Sequence, residues 1–181
     1  MKKVCTMAFM ALAMVFSKEA VAQEFGGLDK SPMDMAAYPT SYKEADKTIR
    51  IVYSRPQLKG RTMAELAPEG KVWRTGANEA TEITFYKDVS FGGKDIKAGT
   101  YSLFTIPGKE EWTVALNKNL NQWGAYSYDE SADVARVTVP SSTDGKSLEE
   151  FSIAFKDVDG GAHMVMGWDK TRVAVPIMMK M

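Results

Sequence analysis

From Thr48 onward the chain alternates apolar and polar residues with a period of two, the spacing that places every second side chain on one face of a β-strand. Ile49, Ile51 and Tyr53 fall on one face, and Arg50, Val52 and Ser54 on the other. The same alternation returns at Thr81–Tyr86, and Gly92-Gly93 then turns the chain between Val89–Phe91 and Lys94–Ile96. Tyr101–Ile106 follows, ended by Pro107-Gly108, and Trp112, Val114 and Leu116 line a further strand. Ala135, Val137 and Val139 define another, with a turn at Asp144-Gly145. Phe151, Ile153 and Phe155 lead to Asp159-Gly160-Gly161, and Met164, Met166 and Trp168 pass through Asp169-Lys170 into Val173, Val175 and Ile177. Gln57–Gly70 reads as a long loop with a helical turn at Met63–Leu66. No segment carries the 3.6-residue period of a helix of ten or more residues. The pattern predicts an all-β fold of about nine or ten strands, a two-layer antiparallel β-sandwich for which jelly-roll connections are one arrangement. A closed β-barrel is the alternative.

Two segments precede this region. Lys2 and Lys3 followed by an apolar run from Val4 to Phe16, and then by Ala20-Val21-Ala22, have the layout of a secretory signal peptide. The run is shorter than the roughly 20 residues that a membrane-spanning helix needs. The expectation is cleavage after residue 22 and export to the periplasm or the cell exterior, with no membrane span left. Residues 23–47 then form an extended leader, or a strand that joins the sheet late, ahead of a single domain at 48–181.

Composition narrows the chemistry. Lys+Arg and Asp+Glu both number 23, so no basic excess drives nucleic-acid binding. One Cys and one His cannot build a Cys/His zinc site. The only cysteine, Cys5, lies early in the apolar run and not at the cleavage point, so the fold must rest on core burial and not on disulfides. Nucleotide-loop, serine-elbow and zinc-helix motifs are absent. His163 has no marked serine partner, and Asp129, Glu130 and Asp133 lack the EF-hand spacing. The methionine pairs Met33/Met35 and Met164/Met166 have the softness for copper(I), yet flexible core filling explains the strand pair more simply. No cofactor or metal is expected.

The stretch from Arg50 to Arg74 is rich in basic residues: Arg50, Arg55, Lys59, Arg61, Lys71 and Arg74, opposed by Glu65 and Glu69. A guanidinium is a planar fork that grips carboxylate, phosphate or sulfate with two parallel hydrogen bonds. Two readings follow. Either Tyr53, Arg55, Lys59, Arg61, Trp73, Arg74, Asn78 and Glu79 form a ligand site, or the arginines pair with Glu79, Glu82 or Asp133 and fasten the loop. A second polar cluster, Tyr126–Asp133, preceded by Asn117, Asn119, Asn121, Gln122 and Trp123, joins amides and aromatics in the manner of carbohydrate contacts.

Tyr53-Ser54-Arg55-Pro56, Lys59-Gly60-Arg61 and Val72-Trp73-Arg74-Thr75-Gly76-Ala77-Asn78-Glu79-Ala80-Thr81, with Ala98–Phe104, Trp123-Gly124-Ala125-Tyr126 and Trp168-Asp169-Lys170-Thr171, resemble the secreted bacterial domain of unknown function 2911 family. The likeness runs from about Thr48 to Ile177. It implies a secreted, envelope-associated protein and places Arg55, Lys59, Arg61, Arg74, Asn78 and Glu79 in the family's signature. It implies no activity.

The functional expectation is a non-catalytic module that binds an anionic or carbohydrate-like ligand. Arg55, Arg61 and Arg74 would hold the anion, Trp73 and Tyr53 would stack, and Asn78 and Glu79 would hydrogen-bond hydroxyls. The alternatives are an envelope glycan hydrolase that uses a carboxylate pair including Glu79, and a structural module that binds an envelope protein partner. Glu79 and Glu82 are three residues apart, so on one strand they would face opposite sides.

Overall fold

The computed structural model describes residues 23–180; the expected signal peptide, residues 1–22, lies outside them. The fold is all-β and antiparallel: β1 (Met33–Tyr38), β2 (Ile49–Ser54), β3 (Thr81–Phe85), β4 (Val89–Phe91), β5 (Lys94–Ile96), β6 (Gly99–Ile106), β7 (Glu111–Asn117), β8 (Asp133–Val158) and β9 (Gly161–Met179). A single helical turn, α1 (Met63–Leu66), is started by a reciprocal Thr62–Glu65 cap. The nine strands run in the order β1-β2-β3-β6-β7-β8-β9-β4-β5. Among the described residues β1 and β5 are free ends, so the sheet is not closed into a barrel. Instead it folds over on itself about β8. The first part of β8 pairs with β7, and from Ser141 onward it pairs with β9.

The fold-over makes the core. The inward faces of β2, β3, β6 and β7 meet those of late β8, β9 and β4 in one cluster that includes Ile51, Ile83, Leu103, Val114, Phe151, Met164, Trp168 and Val175. At its centre Trp73 stacks on Trp168 with ring centroids 5.4 Å apart and meets Phe151 edge-on at 4.9 Å. Gly92-Gly93 turns β4 into β5 with φ of 55° and 84°, the left-handed pair that a tight hairpin requires. The leader contributes too: of the two readings of residues 23–47, the strand holds for Met33–Tyr38, which pairs with β2 along its whole length.

One expected turn is not a turn between strands. Asp144-Gly145 lies inside β8, where Thr143 pairs with Thr171 but Leu148 already pairs with Asp169. The extra residues loop out as a wide bulge. Asp144 accepts the Lys146 N–H, and Arg172 binds the bulge by donating to the Lys146 carbonyl and pairing with Asp144. The two segments flanking this point, read as separate strands from their alternation, are therefore halves of one bent strand.

Candidate functional site

The arginine-rich segment leaves the end of β2 and returns into β3, and most of it is spoken for. Arg55 donates from Nε to the Phe151 carbonyl (3.1 Å), from Nη2 to Ser152 Oγ (2.7 Å) and from Nη1 to Asp34 (3.1 Å). It clasps β1, β2 and β8 together. Arg61 turns back on its own loop, donating to the Leu58 and Gln57 carbonyls. Lys59 has a positive φ of 48° and contributes its backbone N–H to Glu149. Fastening therefore holds for Arg55 and Arg61, but through Asp34, Ser152 and carbonyl groups and not through Glu79, Glu82 or Asp133. Replacing Arg55 with Ala should cost about 1.5–3 kcal/mol, the range for hydrogen bonds to charged groups, read as a lower thermal midpoint.

Neither expected stacking ring is free. Tyr53 is 4% exposed, and its hydroxyl accepts the Ile153 N–H at 3.0 Å. Trp73 is 5% exposed and donates from Nε1 to the Gly76 carbonyl. The signature around it is a folded plug. Thr75 and Asn78 hold φ of 56° and 60°, and Thr81 Oγ1 donates to the Thr75 carbonyl. Gly76 runs so close to β2 that a Cβ there would lie 2.9 Å from the Ser54 carbonyl oxygen. These positions serve the fold first.

Arg74 differs. The ion-paired arginines among the described residues are Arg55, Arg136 and Arg172. Arg74 Nε is buried and has no hydrogen-bond partner among the described residues. Burial pushes its guanidinium below the ordinary arginine range, and the nearby Tyr126 partly opposes this. Arginine stays protonated nonetheless, so the burial acts as an uncompensated desolvation cost. The residue lines a cleft of about 220 Å³ with Leu66, Pro68, Val72, Trp73, Ala125 and Tyr126. That is below the 300–1,000 Å³ typical of whole small-molecule sites and suits a head group. Tyr126 is 86% exposed, a ring free to cover whatever enters.

The loop after β7 positions that ring. Phe104 and Ala115, on the outward faces of β6 and β7, form a second small core with Ala80, packed against Val72, Ala125 and Tyr128. The loop's strand-like edge is tied to the plug: Ala80 donates its N–H to the Gln122 carbonyl, and Gly124 donates its own to the Asn78 carbonyl. Tyr128 donates to Asp133, which also receives Arg136 Nη1 and Asn117 Nδ2. The acidic cluster is thus taken up by Arg136, not Arg74. Asn78 and Glu79 fall away from Arg74 in function: the Asn78 carbonyl holds the loop, and exposed Glu79 lines a separate cleft with Glu82.

Burial raises the Tyr38, Tyr53 and Tyr128 phenols above their ordinary value, with Asp133 adding to the effect at Tyr128. A folded value above the unfolded one leaves stability intact below about pH 10, and loses it as pH rises further. The thermal midpoint should hold from pH ~8 to ~10 and then fall, and Tyr128→Phe should flatten that fall.

Residues 31–177 match the family described as Protein of unknown function (DUF2911). The chain belongs to this family. The match covers every strand except the last residues of β9, so plug, cleft and covering loop all lie within the family's span. No curated protein and no solved structure matches the chain. No described helix is long and apolar enough to cross a membrane.

Proposed function

We propose that this member of the family is an exported, non-catalytic binding domain, and that its site is the cleft between Arg74 and Tyr126. One observation supports the reading above the others. Arg74 is a half-buried cation with no counter-charge among the described residues, whereas the other partly buried arginines, Arg55, Arg136 and Arg172, are all ion-paired. An anionic group on the ligand, whether carboxylate, phosphate or sulfate, would offset the desolvation cost through charge-assisted hydrogen bonds. Tyr126 would lie over the attached sugar or apolar portion. Export rests on the charged, apolar and small-residue layout of residues 1–22.

The test is thermal unfolding of residues 23–181 against acidic and neutral glycans, phosphate and sulfate. A ligand at about 100 times its dissociation constant adds roughly 2.7 kcal/mol, several degrees of midpoint for a domain of this size. An acidic compound should give this shift and its neutral analogue should not. Arg74→Ala should abolish the shift, and Arg55→Ala should keep it despite its lower starting midpoint. No shift with any compound would overturn the reading in favour of a module that binds an envelope protein.

A further inference from the structure

A second cleft, of about 270 Å³, opens on the outward face of β1, β2 and β3. None of its lining residues is shared with the cleft that holds Arg74. Its chemistry is opposite. Glu79, Glu82, Ser54, Met33, Val52 and Asn121 line it, with no basic side chain among its lining residues. The strand rule fails at Glu79 for a local reason. β3 begins only at Thr81, and the left-handed Asn78 together with the Ala80–Gln122 hydrogen bond turns residue 79 toward the face that Glu82 occupies.

Glu82 is held in place, since its Oε1 accepts the Asn121 N–H at 3.0 Å. Glu79 has no ion-pair partner among the described residues. Ser54 supplies an independent sign. It is 5% exposed, sits on the outward face of β2 beside the cleft, and its hydroxyl has no hydrogen-bond partner among the described residues. Met33 and Val52, 64% and 37% exposed, provide an apolar wall that a free carboxylate pair would not need.

We propose that this cleft binds an aminoalkyl group: a primary ammonium between Glu79 and Glu82, hydrogen-bonded by Ser54, with its alkyl stem along Met33 and Val52. An ammonium has three donors and no acceptor, which matches two carboxylates and a hydroxyl. A long alkyl stem covers apolar surface while its charged head stays polar. Glycan hydrolysis at this pair is the less suited use. A glycosidase acid is enclosed by apolar groups, whereas Glu79 stands exposed and Glu82 already carries an N–H.

The probes are 1,5-diaminopentane, the uncharged five-carbon alcohol 1-pentanol, and the peptide Gly-Gly-Lys-Gly-Gly, titrated calorimetrically into residues 23–181. The diamine or the lysine peptide should bind saturably, and 1-pentanol should not. Binding should weaken as NaCl rises from about 50 to 300 mM. In Glu79→Gln/Glu82→Gln the dissociation constant should rise at least about tenfold. The amide oxygen introduced by Glu82→Gln can still accept the Asn121 N–H, and an unchanged melt would confirm that the double variant is folded. Tighter capture of the peptide assigns the amine to a polypeptide partner, and tighter capture of the diamine assigns it to a small molecule. Arg74→Ala should leave amine binding unchanged, so this site stands or falls apart from the anion cleft. Equal binding of 1-pentanol, binding untouched by the double variant, or binding of Ca²⁺ with neither amine would overturn the proposal.

Discussion

Trp73→Ala should be the most damaging change within the signature, and it should damage stability before binding. The ring is stacked on Trp168 at an interplanar angle of 16°, with Phe151 and Trp112 edge-on around it. Truncating a buried tryptophan removes its transfer energy and leaves a cavity, about 3–5 kcal/mol in all. For a domain of this size that lowers the midpoint by roughly 6–20 °C. The variant also strands the Gly76 carbonyl, which the indole N–H now satisfies. Trp73→Phe should cost less, since it keeps most of the stack and loses only the donor and part of the volume. A calorimetric melt separates the two accounts of this residue. A ligand platform would melt within about 2 °C of the parent, as exposed substitutions do, while a core anchor would not.

Gly161→Ala should approach the same size of effect with a single added carbon. Gly161 opens β9 at the β8–β9 hairpin, and a Cβ there would run into the Ile177 carbonyl oxygen and lie 2.9 Å from Met178 Cα. Both are backbone atoms, so no side chain can swing away. Three elements meet at this point. The Gly160 carbonyl accepts the Met179 N–H from the far end of β9, and the Gly161 carbonyl accepts the Tyr38 hydroxyl from β1. Relief of the clash must separate at least one of them. The expected cost is about 3 kcal/mol, the upper part of the overpacking range, seen as a lower urea midpoint with unchanged slope.

The strands were legible because each buries one face, and alternation such as Ile49, Ile51 and Tyr53 reports that directly. What alternation does not carry is continuity. The bulge at residues 144–147 resembles a hairpin turn in composition, and it is the pairing with β9 on both sides of it, fastened by the Arg172 contacts, that shows β8 running through it. The site was half legible for the same kind of reason. Arginine composition marks a segment, but whether a guanidinium is spent depends on partners distant in sequence: Asp34 and Ser152 for Arg55, none among the described residues for Arg74 Nε. Tyr126 stood in a separate cluster along the chain and reaches Arg74 only because the loop after β7 covers Phe104 and Ala115. From the sequence, Glu82 is a partner for an arginine or, three residues from Glu79, a carboxylate on the opposite face of a strand. Its place beside Glu79 depends on the backbone of Asn78, for which the asparagine itself, tolerant of positive φ, was the available sign.

The most direct test of the anion cleft follows the arginine Nε–Hε resonances by heteronuclear NMR as an acidic glycan or phosphate is added. Arg55 and Arg61 donate from Nε to carbonyl groups of the fold, whereas Arg74 Nε has no partner among the described residues. Anion binding at Arg74 means that one such resonance, assigned by its loss in Arg74→Ala, moves in proportion to occupancy while those of Arg55 and Arg61 stay fixed. Movement at Arg55 or Arg61 with Arg74 unmoved would contradict it.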